Sequence, residues 1–185
     1  LVAMTIAIAI GMPLGVLSAV KADRMPDHIA RIVSLIGVSV PAFWLALLLQ
    51  LFFGLKLGWL PIGSRLDALT APPKDITGMY LLDSLLTGNW PVFGEALQHI
   101  ILPALTLSLA SLATISRFTR ASLLEVLNQD YVRTARAKGL TERGVIVKHA
   151  LRNALIPTLT MIGLSFGWSM GGSVLVETVY DWPGI

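Results

Sequence analysis

An all-α, polytopic membrane helical bundle is the fold class this sequence predicts, and three observations predict it. Hydrophobic residues make up 55% of the chain and charged residues only 14%, where an ordinary soluble domain carries about 25% charged residues. Four long runs, 1–20, 32–55, 100–116 and 153–176, contain no Asp, Glu, Lys or Arg. A helix of about 20 apolar residues crosses a hydrocarbon core of about 30 Å. The charges that remain are sorted by sign between the loops.

Each predicted span follows from these runs. The spans are placed at 1–20, 32–55, 99–117 and 154–176, the third extended through His99 at one end and by a snorkelling Arg117 at the other. The first reads as a span rather than a signal peptide, because it has no basic leader or small-residue cleavage site. The chain starts at Leu1 and stops at "YDWPGI" just after the fourth span. Both ends are therefore expected to be cut, leaving residues 1–185 as a fragment of one transmembrane domain.

Lys21, Arg24 and Arg31 lie between the first two spans. Eight basic residues, Arg117, Arg120, Arg133, Arg136, Lys138, Arg143, Lys148 and Arg152, follow the third. The opposite side is net acidic, with Asp67, Asp75, Asp83, Glu95, Glu177 and Asp181 against Lys56, Arg65 and Lys74. The positive-inside bias puts the basic loops in the cytoplasm and 58–98 outside.

Gly11, Pro13 and Gly15 in span one, Pro41 in span two, Pro103 in span three and Pro157 in span four imply bent, mutually packed helices. Segment 58–98 combines "GWLPIGS" and "APPKD" turns with an apolar run. It predicts an ordered cap, with Trp59 and Trp90 at the interface and a short helix over 80–86. In span four Gly163, Gly167 and Gly171 recur every four residues, as do Ser165, Ser169 and Ser173. The two rows fall on broadly opposite faces. The glycines predict close helix packing, within the chain or against a partner. The serines fit either a polar pathway lining or a second packing face.

Loop 118–153 predicts a helix, a glycine and another helix. Asn128 or Asp130 would cap the first, Gly139 would end it in the left-handed conformation, and Thr141 would cap the second with Glu142 in its first turn. Ala135 and Ala137 keep the first helix slim while Arg133, Arg136 and Lys138 charge it. Two readings of this loop fit: a docking element for another protein, or a topology signal that attracts anionic headgroups. Cysteine is absent, which excludes disulfides and thiolate metal sites. His28, His99 and His149 show no metal-ligand spacing among themselves and read as interfacial or helix-surface residues. No serine has a convincing His/Asp partnership. No catalytic, cofactor-binding or metal residue is expected, and no nucleic-acid partner.

The ordered motifs "DYVRTARAKGL", "KHALRNALIP" and "ETVYDWPGI", with "GWLPIG" and "HIILPALTL" in support, resemble the permease subunit of a binding-protein-dependent ABC importer. The similarity is to the dipeptide/oligopeptide and nickel group, whose fold is the MetI-like membrane bundle. The family's cytoplasmic E-A-A-x-x-x-G signature, the EAA motif, forms a coupling helix that enters a cleft on the ATPase. Here Arg133, Thr134, Ala135 and Gly139 occupy it, with Arg for the Glu and Thr for the first Ala. The resemblance implies ATPase-coupling roles for Tyr131, Arg133, Thr134, Ala135, Lys138 and Gly139. It also implies a second permease subunit, two cytoplasmic ABC ATPases, an extracytoplasmic solute-binding protein and a bacterial or archaeal inner (plasma) membrane. No G-x-x-x-x-G-K-[ST] loop occurs, so ATP is expected to be bound by the partner subunits. Peptide is the favoured solute, with nickel or another small solute as alternatives. A secondary transporter or channel is the rival class, against which stands the lack of intramembrane acids. A purely structural assembly protein is a third.

Overall fold

The structure is a computed structural model and describes residues 1–183; the last two residues of the "ETVYDWPGI" motif lie outside the described residues. Among the described residues every regular element is helical. Helix α1 spans Val2–Val20 and α2 Met25–Ser39, while α3, Ala42–Leu49, continues as a π-helical stretch over Gln50–Lys56. Helix α4 spans Tyr80–Leu86, α5 Trp90–Leu127 and α6 Asp130–Ala137. Helix α7, Glu142–Gly144, passes through a π-helical stretch, Val145–Ala150, directly into α8, Leu151–Val179. Three helices, Val2–Val20, Trp90–Leu127 and Glu142–Val179, are long and apolar enough to cross a membrane, and the bent pair α2/α3 is a fourth if counted as one span.

The second predicted span is not one straight helix. Val40 and Pro41 are both extended, with ψ of 122° and 134°, because the proline ring disfavours helical backbone in the residue before it. Pro13, Pro103 and Pro157, by contrast, sit inside continuous helices. The helix that carries the third predicted span runs beyond it at both ends, since α5 starts at Trp90 and ends at Leu127. Glu95, Arg117, Arg120 and Glu125 interrupt an uncharged run, yet none opposes helix formation. Residues 118–127 are accordingly helical, and the second helix predicted for the joint runs from Glu142 without a break into the fourth span.

The chain forms two compact units, residues 1–40 with 108–170 and residues 41–107 with those from Gly171 onward. In the first, a row of small residues on α1, Ala7, Gly11, Gly15 and Ala19, is buried. A Cβ on Gly11 would stand 2.8 Å from the Leu112 carbonyl oxygen; one on Gly15 would stand 2.5 Å from that of Ser116 and 2.6 Å from Thr119 Cβ. Gly37 of α2 meets the same helix, its Cβ position 3.0 Å from Ala113 Cβ. Backbones in hydrocarbon approach closely where side chains are small, so α1 and α2 lie directly on α5. Met4 and Ala7 with Leu112 and Ile115 fill one core, and Ala19 with Leu123, Ala150 and Ala154 another.

In the second unit Ala46, Leu102, Val176 and Tyr180 form the core. The Tyr180 hydroxyl lies 3.1 Å from Thr106 Oγ1 and donates to the Ala46 carbonyl at 3.3 Å. Gln50 Nε2 donates to the carbonyls of Ile62 and Val179. The "GWLPIGS" segment is fastened to the closing motif, with the Ser64 N–H donating to Tyr180 O at 2.9 Å. A Cβ on Gly63 would sit 2.7 Å from that same oxygen. The Arg65 guanidinium lies over the Tyr80 and Trp182 rings, 5.3 and 5.8 Å from their centroids, and donates to the Pro183 carbonyl.

Helix α4 occupies the predicted residues. Asp83 is buried and accepts from Thr77 Oγ1 at 2.6 Å and from the N–H groups of Thr77 and Gly78 at 2.8 and 3.2 Å. The Thr77 hydroxyl, aided by the backbone donors and opposed by burial, holds this carboxyl below the ordinary carboxylate range. A depressed folded-state value means the stabilisation is complete above the unfolded carboxylate range and is lost as pH falls through the lower folded-state value. Acidification is therefore expected to speed amide exchange over 76–83 beyond the intrinsic rate change. Asp83→Asn should speed it already at neutral pH; exchange in that variant as slow as wild type would refute the latch.

Candidate functional site

The basic joint is built from α6 outward. Its N-cap is Gln129, in extended conformation and without a side-chain cap, so neither Asn128 nor Asp130 plays the predicted capping role. Asn128 turns back, its Nδ2 donating to Leu124 O at 3.0 Å. Asp130 sits in the first turn, where the helix dipole favours a negative charge, 3.4 Å from Arg133 Nη1. At the other end Gly139 has φ +79°. Its N–H bonds to Arg136 O at 2.9 Å and that of Leu140 to Ala135 O at 3.4 Å. These two bonds make a Schellman ending, which satisfies carbonyls the helix would otherwise leave open. Thr141 caps α7 as predicted, its Oγ1 accepting from the Gly144 N–H.

Three ties hold the two halves of the joint at a fixed angle. Val132 and Ala135 are buried against Val145. Arg136 donates to both carboxylate oxygens of Glu142, at 3.1 and 2.7 Å, a bidentate pairing that fixes orientation as well as distance. Asn153 Nδ2 donates to the Tyr131 hydroxyl at 2.7 Å. Glu142 and Asn153 belong to one continuous helix running to Val179.

The sequence-predicted residues therefore divide. Tyr131, Arg133, Thr134, Lys138 and Gly139 are exposed. Ala135 is only 7% exposed, and its small size serves contact within the joint. The serine row faces inward, with Ser165 buried and Ser169 Oγ 3.2 Å from Ser111 Oγ on α5. Within this chain Ser165 and Ser169 pack among the helices, and Ser173 is half-buried. Gly163, Gly167 and Gly171 have no atom within 4 Å of a built Cβ. The close contact predicted for them is absent within the described residues, and Gly11, Gly15 and Gly37 make such contacts instead.

Sequence reasoning missed a buried charge cluster where α1 and α2 meet α5. Asp27 is fully buried and receives Arg120 Nε and Nη2, each at 2.7 Å, together with Arg31 Nη2 at 3.1 Å, the Asp23 N–H at 2.9 Å and the Ser18 hydroxyl. It fastens the end of α1 and the start of α2 to α5. The only local signal was the Asp27–Arg31 spacing of four. His99 was also misread. It is 5% exposed, because residues 63–67 fold over the ring, and it lies beside Asp67 and Glu95.

Long apolar helices joined by a rigid basic helix–turn–helix define a multi-pass membrane protein with a built joint at its polar edge. Residues 11–185 match the family described as binding-protein-dependent transport system inner membrane component, and the chain belongs to that family. It is 51% identical over 184 residues to the probable D,D-dipeptide transport system permease protein of Escherichia coli (strain K12), covering 99% of this chain and 54% of that protein. It is 49% identical over 186 residues to the di/tripeptide transport system permease protein of Pseudomonas aeruginosa (strain UCBPP-PA14), covering 100% and 55%. Identity to the glutathione transport system permease protein of Escherichia coli (strain K12) is 42% over 182 residues, covering 98% and 50%. The chain spans about half the length of these curated relatives. The permease resemblance drawn from its motifs is borne out.

Proposed function

We propose that this chain belongs to the permease subunit of an ATP-driven ABC importer of the bacterial inner membrane. It would form half of a solute pathway with a second permease subunit, take force from two cytoplasmic ATPases and receive solute from an extracytoplasmic binding protein. The observation that carries this reading is the joint: an exposed, charged helix locked by packing, a Schellman turn and the Arg136–Glu142 fork to a helix of 38 residues. At about 1.5 Å per residue that helix is roughly 57 Å long. A push on the outer face of α6, through Tyr131, Arg133, Thr134 and Lys138, moves α6 and the long helix as one body. Such rigid-body steps between discrete packed arrangements are how domain closure becomes a change of access. Short peptides are the proposed solutes, since the similar permeases are named for dipeptides, di/tripeptides and glutathione.

Gly139→Val tests the joint cleanly. No atom lies within 4 Å of a Cβ built there, so the cost is conformational, from the φ of +79° alone, and amounts to about 1–2 kcal/mol. Membrane insertion should persist while ATPase co-purification falls or hydrolysis uncouples from peptide uptake. Thr134→Trp, on the exposed face of α6, should do the same by blocking approach, whereas Lys138→Gln should be mild. Normal association and coupling in both Gly139→Val and Thr134→Trp would defeat the docking role. Ala135→Trp does not address docking, because it would disrupt the joint's own core.

A further inference from the structure

The geometry points to a binding site for a divalent transition-metal ion of the zinc class, made by Asp67, Glu95 and His99. Glu95 and His99 are four residues apart on α5 and so share a face, and Asp67 reaches them from the segment before α4. One ligand atom from each lies within 4.8 Å of the others. The His99 ring is the second observation. Its Nδ1 lies 2.8 Å from the Gly63 carbonyl oxygen and 3.2 Å from that of Ser64. Carbonyls only accept, so Nδ1 carries a proton and Nε2 is the ring atom left for a ligand. That Nε2 is aimed at Asp67 Oδ1 across 3.6 Å, beyond hydrogen-bond length. An ion with bonds of about 2.0–2.2 Å to each of these two atoms spans this separation.

The surroundings are those of a ligand set held in position. A metal-binding histidine donates its other ring N–H to a carbonyl or carboxylate, as His99 does. Glu95 Oε1 accepts from the Asp67 N–H at 2.6 Å and Oε2 from Thr70 Oγ1 at 2.9 Å; each oxygen retains a second lone pair. One imidazole and two carboxylates suit zinc-like ions, with bonds of about 2.0–2.2 Å. Closing on such an ion requires the ligand atoms to draw in to about 4 Å or less. The Asp67 side chain, 74% exposed, is free to make that adjustment. Bound metal would clamp residues 63–70 to the first turns of α5, steadying the loop that also holds the Tyr180 end of α8.

The test uses the full-length permease in its assembled transporter, stripped with chelator and titrated with Zn²⁺ alone. Calorimetry gives the stoichiometry, and amide exchange over 64–70 gives the location. One additional Zn²⁺ should bind per copy of this chain and slow that exchange. Asp67→Asn, at an exposed side chain, should weaken binding about tenfold or more and remove the protection. His99→Gln should abolish both, while Asp75→Asn should change neither. Equal Zn²⁺ binding by wild type and Asp67→Asn, or Zn²⁺ without effect on exchange over 64–70, would overturn the site and leave an imidazolium–carboxylate pair in its place.

Discussion

Gly15→Leu is expected to leave the chain in the membrane but unable to close its first unit. A Cβ at this position would stand 2.5 Å from a backbone oxygen and 2.6 Å from Thr119 Cβ, and neither is the far end of a flexible side chain. Relief requires α1 to move off α5, which opens the contacts of Ala7 and Ala19 as well. Overpacking within a core costs about 1–3 kcal/mol and occasionally more; a clash with backbone along a whole helix contact belongs at or above the upper end. Limited proteolysis of the full-length subunit in membranes is the measurement, with α1–α2 cleavage rising sharply. Gly167→Leu, at a position where an added Cβ has open space around it, should leave the same digest unchanged. Matching digests for Gly15→Leu and wild type would remove the proposed contact.

The second large effect is at Arg120. Removing it leaves Asp27 buried without its bidentate partner, and breaking a buried ion pair from one side costs about 3–5 kcal/mol. Arg31 still reaches one oxygen at 3.1 Å, so Arg120→Ala should fall near about 3 kcal/mol. Asp27→Leu combined with Arg120→Met should be less destabilising than Arg120→Ala alone, since no orphan charge remains. Thermal inactivation of the solubilised transporter provides the ranking. A double variant at least as unstable as the single one would show that shape, rather than charge, holds this junction.

The parts of the fold legible in the sequence were those decided locally. α1 coincides with the first uncharged run and α4 with the apolar run in the outer segment, because burial of a continuous stripe needs no knowledge of the partner. Gly139 was legible for the same reason: a polar helix followed by glycine and a Thr cap specifies its own turn. The ends of α5 were not, because Glu95 and Arg120 look like the edge of a span until their partners from elsewhere in the chain are known. The packing row Ala7-x₃-Gly11-x₃-Gly15-x₃-Ala19 stands in the sequence, but only the course of α5 beside it shows that its glycines are places of close approach. The Glu95–His99 spacing of four was equally visible, yet Asp67 joins it only through the course of the loop. Comparing histidines solely with one another concealed the cluster.

The Asp27–Arg120 pair also dates the assembly of the protein. The two residues are 93 positions apart, and chains grow at about 5–20 residues per second, so the carboxylate is synthesised roughly 5–20 s before its bidentate counterion. During that interval Ser18, Asp23 and Arg31 are the partners it has among the described residues already made. The α1–α2 hairpin must then wait with its acidic turn in water or among headgroups. Arrival of α5 at once supplies the missing charge and the groove for Gly11, Gly15 and Gly37. The chain is thus arranged so that its first two helices stay provisional until the third long one has been made.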